Sequence, residues 1–588
     1  MDSLIGILQD IASKAIKDAF EANIENIAQF LPAEVTQSTQ DKFGHYQCNS
    51  ALKIAKALKQ NPRNVASELI EKLKSISEKD SFIEAMEIAG PGFINITLTK
   101  NYIAEQLNKQ LKDPHLGVAK PKVKKRIIVE FSSPNIAKEL HVGHLRSTII
   151  GESLARLFEF LGHDVVRLNH VGDWGTQFGM LIAFLKMHQK DVLSGKKIPE
   201  LSDLMSWYKE SKKLFDADAD FKKTAQLEVI DLQAKNEESL HAWSRICDIS
   251  REAFKEIYKL LDVTITERGE SFYNAKLKGV VEDLEKKKLI VEDQGAKCIF
   301  LDGFVGKDKK PLPMIIQKSD GGFNYSTTDM AALIHRVEEE KADRVIYVVD
   351  SGQSLHFQMI FKAAEKAGYF DPQKMQLNHV AFGVVLGSDG KKFKTRSGET
   401  EKLIDLISTA VSKAKELLKD KLTGVSEEEL DNSAEILGID AIKYADLSCH
   451  RLKDYVFSYD RMLKFEGNTA AFLLYAYVRI QSIKKKIGKN LDTLMKSAKI
   501  SLSHPTELAL GLHLCRFEES LMQIDRELLP NRLSDYLFQL AEKFHAFFRD
   551  CRVEGVPEED SRLLLCELTA RILKTGLHIL GLKTLDRM

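Results

Sequence analysis

Ile127-Ile128-Val129-Glu130-Phe131 opens the stretch that decides the fold, and Ser132-Ser133-Pro134-Asn135-Ile136-Ala137-Lys138-Glu139-Leu140-His141-Val142-Gly143-His144 follows it directly. The first five residues read as a buried strand. Apolar residues then recur at helical spacing from His144 to Leu161, Gly162 suits the end of that helix, and Val165-Val166-Arg167-Leu168 reads as a second strand. Strand, helix, strand is a βαβ unit, which implies an open parallel sheet of nucleotide-binding type with its ligands beyond the carboxyl ends of the strands.

Working outward, the basic connector from Asp113-Pro114-His115-Leu116-Gly117 to Lys124-Lys125-Arg126 marks a boundary. Residues 1–117 are expected to form an α+β domain, with an alternating strand at Ile94–Thr99 after Gly90-Pro91-Gly92. From Leu201 to Arg268 there is neither glycine nor proline, and apolar residues such as Trp207, Leu214, Trp243 and Phe254 recur at helical spacing. This predicts a mostly helical insertion at about 186–275. The runs Lys297–Leu301, Val345–Val349 and Val380–Val385 are expected to complete the interrupted sheet. Beyond Glu401 the periodicity is helical. The expected fold class is therefore α/β. A Rossmann-type parallel-sheet catalytic domain covers 118–400 with its insertion, after the N-terminal α+β domain and before an all-α helix bundle at 401–588.

Composition sets limits and little more. Lys plus Arg and Asp plus Glu are both 85, so binding to a nucleic acid must rest on local basic patches. Hydrophobic residues at 44% and charged residues at 29% exclude disordered and fibrous classes. Asp2, Asp10 and Asp18 interrupt the apolar positions of the first twenty residues, which reads as an amphipathic helix and not a signal peptide. No apolar stretch reaches the ~20 residues of a membrane span. Seven cysteines without a C-x-x-C pair fit a reducing compartment, so a cytoplasmic protein without a structural metal is expected. Asp216-Ala217-Asp218-Ala219-Asp220 imitates the opening of a calcium loop, but Phe221 stands where the turn needs glycine and Leu227 where a bidentate glutamate would bind.

Chemistry concentrates between the first strand and its helix. His141 and His144, three apart at a helix N-terminus, offer imidazole donors to phosphate oxygens beside free backbone N–H groups, and Gly143 lets a flat ring approach. The block Glu130–Asn135 with His141-Val142-Gly143-His144-Leu145-Arg146-Ser147-Thr148, followed by Asn169-His170-Val171-Gly172-Asp173-Trp174-Gly175, resembles the arginyl-tRNA synthetases of class I. Similarity continues through Tyr325-Ser326-Thr327-Thr328-Asp329, Lys392–Thr400 and Glu466–Phe472, so it covers essentially the whole chain.

That resemblance implies an arginine–tRNA ligase that converts L-arginine and ATP, entering with Mg²⁺, to arginyl-adenylate and then charges the terminal adenosine of the tRNA specific for arginine. By the same resemblance Glu130, Tyr325 and Asp329 face the arginine side chain, while Ser133, Asn135, His144 and Gln353 hold its amino and carboxyl end. Guanidinium chemistry is compatible with this: a planar five-donor cation needs carboxylates and a further acceptor in a fixed plane. Tyr325 and Asp329 lie four apart, hence on one helical face, and Glu130 ends its strand. ATP is expected against His141, Gly143, His144, Gly172, Asp173 and Lys394.

Catalysis is assigned to His141, His144, Lys138, Lys392 and Lys394. The loop Asp389–Arg396 departs from the class pattern K-M-S-K-S, with Thr395 in place of the second lysine if Lys392 is the first, and Lys138 is the residue that could substitute electrostatically. For tRNA the resemblance points to Phe43, Tyr46, Gln47 and Asn49 in the first domain and to Tyr475, Arg479 and Lys484 in the bundle. Cations there can meet phosphates and exposed rings can stack bases, although many of the aromatics, which include Tyr455, Phe457, Tyr459, Tyr475 and Tyr477, should be core. A monomer without a separate editing domain or membrane partner is expected. The alternatives are a smaller nucleotidyltransferase with the same histidine device, against which the bundle speaks, and an inactive relative that only binds tRNA or a protein partner.

Overall fold

A computed structural model describes residues 3–77, 82–306, 309–387, 389–393 and 401–588. Near the N-terminus, β1 (Val35–Gln37), β2 (Tyr46–Cys48), β3 (Ile83–Ala89) and β4 (Phe93–Leu98) form an antiparallel sheet in the order β1-β2-β4-β3. Only β4 is foreshadowed by alternation in the sequence. β1 and β2 have three residues each, too few to display a period, and no residue of β3 is fully buried. The helices Leu4–Phe20 and Pro62–Ser77 pack together beside this sheet around Ile16, Phe20, Leu69, Ile94 and Ile96.

The central sheet is parallel throughout. β5 (Arg126–Glu130) is followed by the helix Val142–Phe160 and by β6 (Asp164–Asn169), as expected from the opening stretch, with the helix starting two residues early. The insertion helices Thr176–His188, Leu201–Ala217, Ala219–Gln233 and Glu237–Leu260 come next, and the chain re-enters the sheet at β7 (Thr266–Glu267). The calcium-like aspartates have an ordinary use: Asp218 accepts from the N–H groups of Asp220 and Phe221 and caps the helix Ala219–Gln233.

Two sequence expectations are corrected here. Lys297–Leu301 does not complete the parallel sheet. It belongs to a separate antiparallel sheet of β8 (Val291–Asp293), β9 (Ala296–Val305) and β10 (Pro311–Gln317). That sheet packs Ile299, Leu301, Met314 and Ile316 against Met330, Leu333 and Ile360 of the helices Tyr325–Glu338 and Ser354–Lys366. Its apolar run reports burial and says nothing of which sheet is joined. β11 (Arg344–Tyr347) does extend the central sheet. The last strand, β12 (Gln376–His379), precedes the apolar run Val380–Val385 instead of coinciding with it. β12 is an edge strand with no fully buried residue, whereas Val380 and Phe382 are buried without being strand. β13 (Val385–Leu386) then pairs with β14 (Tyr455–Val456).

The central order is β12-β11-β5-β6-β7. Its register puts Glu130 between Tyr347 and Leu168, on the last rung of the carboxyl edge. From Leu403 to Ile579 the chain is almost entirely helical, and helices such as Ala470–Ile487, Asn531–Asp550 and Glu559–Ile579 share a core around Leu473, Leu537, Phe544 and Leu568. Among the described residues no helix is long and apolar enough to cross a membrane.

Candidate active site

The loop between β5 and the helix Val142–Phe160 is held in a conformation its residues do not prefer. Ser132, Ser133 and Ala137 have φ of 68°, 47° and 62°, left-handed values that cost roughly 1–3 kcal/mol each in non-glycine residues. Hydrogen bonds over-determine the shape. The Ser132 N–H donates to Ser147 Oγ at 2.9 Å and the Ser133 N–H to Asn169 Oδ1 at 2.9 Å. Asn169 Nδ2 in turn donates to the Tyr258 hydroxyl at 3.1 Å, which also meets Ser132 Oγ at 2.8 Å. Gly172 locks the far side. Its N–H donates to Pro134 O, its carbonyl accepts from Ile136, and a Cβ there would lie 2.1 Å from Asn135 Oδ1. The glycine expected against ATP therefore has a demonstrable role in seating Asn135.

At the end of this loop the two imidazoles cap the helix and each other, with ring centroids 4.0 Å apart. His141 Nδ1 accepts the Gly143 N–H at 3.0 Å, and His144 Nδ1 accepts the His141 N–H at 3.2 Å. A nitrogen that accepts cannot carry the proton, so in both neutral rings the proton is on Nε2. Burial pushes the His144 pKa down to about 3, helped by the nearby charges of His141 and Lys138. Burial and Lys392 lower that of His141 as well. Both rings are neutral near pH 7 and present Nε2–H donors, not cations. A Cβ at Gly143 would lie 2.9 Å from His141 Cε1, so the glycine makes room for the ring.

The lysine loop approaches the same pair. Leu386 bridges Lys392 and the Phe393 N–H donates to Val385 O at 2.9 Å, folding the loop back on β13. Both Lys138 and Lys392 are exposed and close enough to His141 to depress its pKa. Lys394, Thr395 and Arg396 lie outside the described residues.

Beyond the imidazoles the lining is acidic. Tyr325 begins the helix Tyr325–Glu338 and Asp329 follows one turn later. Asp329 Oδ2 is 2.6 Å from His356 Nε2, its Oδ1 is 3.8 Å from His170 Nε2, and the Tyr325 ring meets that of His356 edge-on at 4.8 Å. Glu130, expected to face the arginine side chain, is buried. It is paired with Arg336, itself wholly buried and seven residues past Asp329 on the same helical face. Glu270, which sequence reasoning missed, begins a short 3-10 turn, and its N–H donates to Val171 O, next to His170. Burial, then Asp329 and Asp173, raise its pKa to about 8, and among the described residues no cation pairs with it. Asp173 is also corrected. Its carboxylate is buried, accepts from Ser271 N at 2.8 Å and Ser271 Oγ at 2.6 Å, and so faces the protein and not a nucleotide. Gln353 is exposed on the turn after β11. Among the described residues no three His, Cys, Asp or Glu side chains converge on a metal position.

Residues 106–459 match the family described as tRNA synthetases class I (R), catalytic domain; residues 473–588 match the DALR anticodon binding domain and residues 7–98 the arginyl tRNA synthetase N terminal domain. The chain is 56% identical over 590 residues to an arginine–tRNA ligase of Protochlamydia amoebophila, covering all of both chains. The chain belongs to the arginyl-tRNA synthetases. A relative from Trichodesmium erythraeum with the same name is 49% identical over 594 residues, again over all of both chains. The crystal structure of arginyl-tRNA synthetase from Plasmodium falciparum matches all of both chains with a TM-score of 0.86 at 35% identity.

Surfaces expected to bind tRNA in this arginyl-tRNA synthetase divide sharply. Tyr46 is wholly buried and its hydroxyl donates to Glu519 at 2.7 Å, so it joins the first domain to the bundle and offers no face to RNA. The Gln47 amide donates to Asn95 at 2.8 Å, and Asn49 precedes the helix Ser50–Leu58 with a buried carbonyl oxygen. Phe43 is half-buried beneath Lys42. In the bundle, Arg479 lies over the rings of Tyr475 and Phe548, at 5.0 and 4.7 Å. Tyr475 is 36% exposed. Lys484 is committed to Glu567 at 2.5 Å and Lys486 to Glu554 at 2.6 Å, while Lys485 of the same run is exposed. Tyr455, Phe457 and Tyr477 are core.

Proposed function

We propose that this chain activates L-arginine with ATP and transfers it to the 3′-terminal adenosine of its tRNA. One observation carries the reading: at the carboxyl edge of the parallel sheet stand two neutral imidazoles that carry their protons on Nε2, and a group of carboxylates of which Asp329 and Glu270 lack any Lys or Arg partner among the described residues. The substrate guanidinium is the missing cation. Asp329, oriented by His356, receives it, with Tyr325 and Glu130 shaping the plane and Glu270 supplying a second negative charge once ionised. Ser133, Asn135, His144 and Gln353 hold the amino and carboxyl end.

In the first step an arginine carboxylate oxygen attacks the α-phosphorus of ATP, forming a C–O–P link as the bond to pyrophosphate breaks. Negative charge builds on phosphate oxygens. His141 and His144 donate neutral N–H hydrogen bonds there, and Lys138 and Lys392 supply the positive charge that buried imidazoles cannot. Mg²⁺ enters as part of the nucleotide substrate. In the second step a ribose hydroxyl of the terminal adenosine attacks the activated carbonyl carbon, its proton leaves, and AMP departs. Arg479, Tyr475 and Lys485 form the tRNA face of the bundle, and Phe43 that of the first domain. The active species is a cytoplasmic monomer.

Pyrophosphate exchange tests the reading. With tRNA present, ATP should form from AMP-level intermediates and labelled pyrophosphate only when L-arginine is supplied. No arginine-dependent exchange, together with retained tRNA binding, would mark a binding protein and not a ligase.

A further inference from the structure

The histidine helix carries a charged side chain near its start, and it is buried in the protein. Arg146, two residues past His144, is wholly buried. Its Nε lies 2.9 Å from Asp446 Oδ2; Nη1 donates to Gly383 O at 2.7 Å and to Lys453 O at 3.4 Å, and Nη2 to Arg451 O at 3.3 Å. The rings of Phe382 and Tyr455 flank the guanidinium at 5.7 and 5.2 Å. A charge stripped of water persists only where it is paired; here Asp446 supplies the opposite charge, while the hydrogen bonds are made by the two Nη groups and not by Nε. This one joins four segments: the histidine helix, the bundle helix Glu427–Leu447 that bears Asp446, the run after β12, and the turn before β14.

The last two of those segments also carry the lysine loop. The Val384 N–H donates to Asp454 Oδ1 at 2.7 Å, β13 pairs with β14, and Phe393 packs on Phe457 at 5.0 Å. Lys392 then folds back on Leu386. Two residues a side is too short a pairing to fix the angle of a loop by itself. The frame that holds Lys392 opposite His141 therefore ends on Arg146.

We propose that Arg146 and Asp446 are a positioning pair for the reaction: they lock the histidine helix to the bundle and to the base of the lysine loop, so that imidazoles and lysine meet the nucleotide at a set separation. The inference rests on the ligase reading above, although neither residue touches a substrate. A lysine at 146 keeps the charge but loses the planar fork that reaches three carbonyls. A comparison residue exists in Arg344, also buried, which joins β11 to the bundle through Asp525 and to β12 through Asn378, both at 2.8 Å, and belongs to none of those four segments.

The test compares wild type with Arg146→Lys, Asp446→Asn and Arg344→Lys in three readouts: arginine affinity by calorimetry, kcat of pyrophosphate exchange with tRNA present, and amide hydrogen exchange. For Arg146→Lys and Asp446→Asn, kcat should fall by roughly tenfold or more, as misplacement of reacting groups does, with arginine affinity within about twofold of wild type. Amides of residues 143–145, 385–387 and 389–393 should exchange faster together. Arg344→Lys should lower thermal stability while keeping kcat within about threefold and leaving those amides protected. The proposal is overturned if kcat falls equally in all three variants, if arginine affinity falls in step with kcat, or if protection is lost evenly along the chain. Should Arg146→Lys fail to fold, Asp446→Asn, which leaves the carbonyl contacts of Arg146 in place, decides alone. Amide exchange is read without turnover, so a wild type that shows no exchange of pyrophosphate would sink the ligase reading while the positioning pair is still judged.

Discussion

From Glu130 to His144 one side of the site is a single length of chain, whereas Asp329, His356, His170 and Glu270 on the other come from four segments far apart in sequence. The two sides also handle charge in opposite ways. Burial strips the imidazoles of charge and leaves directional donors, suited to a phosphate that already carries its own charge and its own cations. The acidic side keeps carboxylates without enough protein cations, suited to a ligand that brings one. The contrast teaches that the two substrates are read by different physics: geometry of neutral donors for the nucleotide, and unanswered charge for the amino acid.

The largest expected effect comes from the imidazole side. His141→Ala should lower kcat of adenylate formation by about 10²–10³, the usual loss when a preorganised donor to developing charge is removed, while arginine affinity changes far less. Comparable losses in both would erase the division of labour. On the acidic side, Asp329→Asn should weaken arginine binding by at least ~1.5 kcal/mol, read by calorimetry, because a charged acceptor is lost. Unchanged affinity would remove Asp329 from the recess.

Glu270 sharpens the contrast through pH. Its folded pKa is raised to about 8, above the ordinary 4.5, so between those values the free protein holds a proton that a bound guanidinium must expel. Arginine affinity should therefore rise with pH up to about 8 and then level off, with proton release visible in buffers of different ionisation enthalpy. Glu270→Gln should abolish the release. The smallest effect is away from the site: Tyr46→Phe should cost about 1–3 kcal/mol of stability by stripping Glu519 of a buried partner, and leave tRNA affinity unchanged. A loss of tRNA affinity without loss of stability would return Tyr46 to the RNA surface.

What was legible in the sequence follows the same division. β5, the histidine helix and β6 could be read directly, because their signals are local spacing and they fold where the spacing says. The acidic side was legible only where a helix put Tyr325 and Asp329 one turn apart. Arg336 sits on that same face, but its partner Glu130 ends a strand some two hundred residues earlier, |i−j| being 206, so the pairing has no sequence signature. Glu270 stands in a four-residue turn with no periodicity, and only its burial beside two other carboxylates marks it. Asp173 and Tyr46 carry polar groups that read as exposed until Ser271 and Glu519 are found against them. The run Val380–Val385 misled for a simpler reason: apolar residues mark what is covered, and the segment from Arg451 to Phe457 covers it.

The most direct measurement is a calorimetric comparison of L-arginine with L-citrulline, its neutral isostere, on wild type and on Asp329→Asn. Wild type should prefer arginine by about 10² or more, since the analogue leaves the part-buried carboxylates without a cation, and Asp329→Asn should shrink that preference by at least roughly tenfold. Equal affinity for the two ligands on wild type would contradict a recess that recognises its substrate by charge.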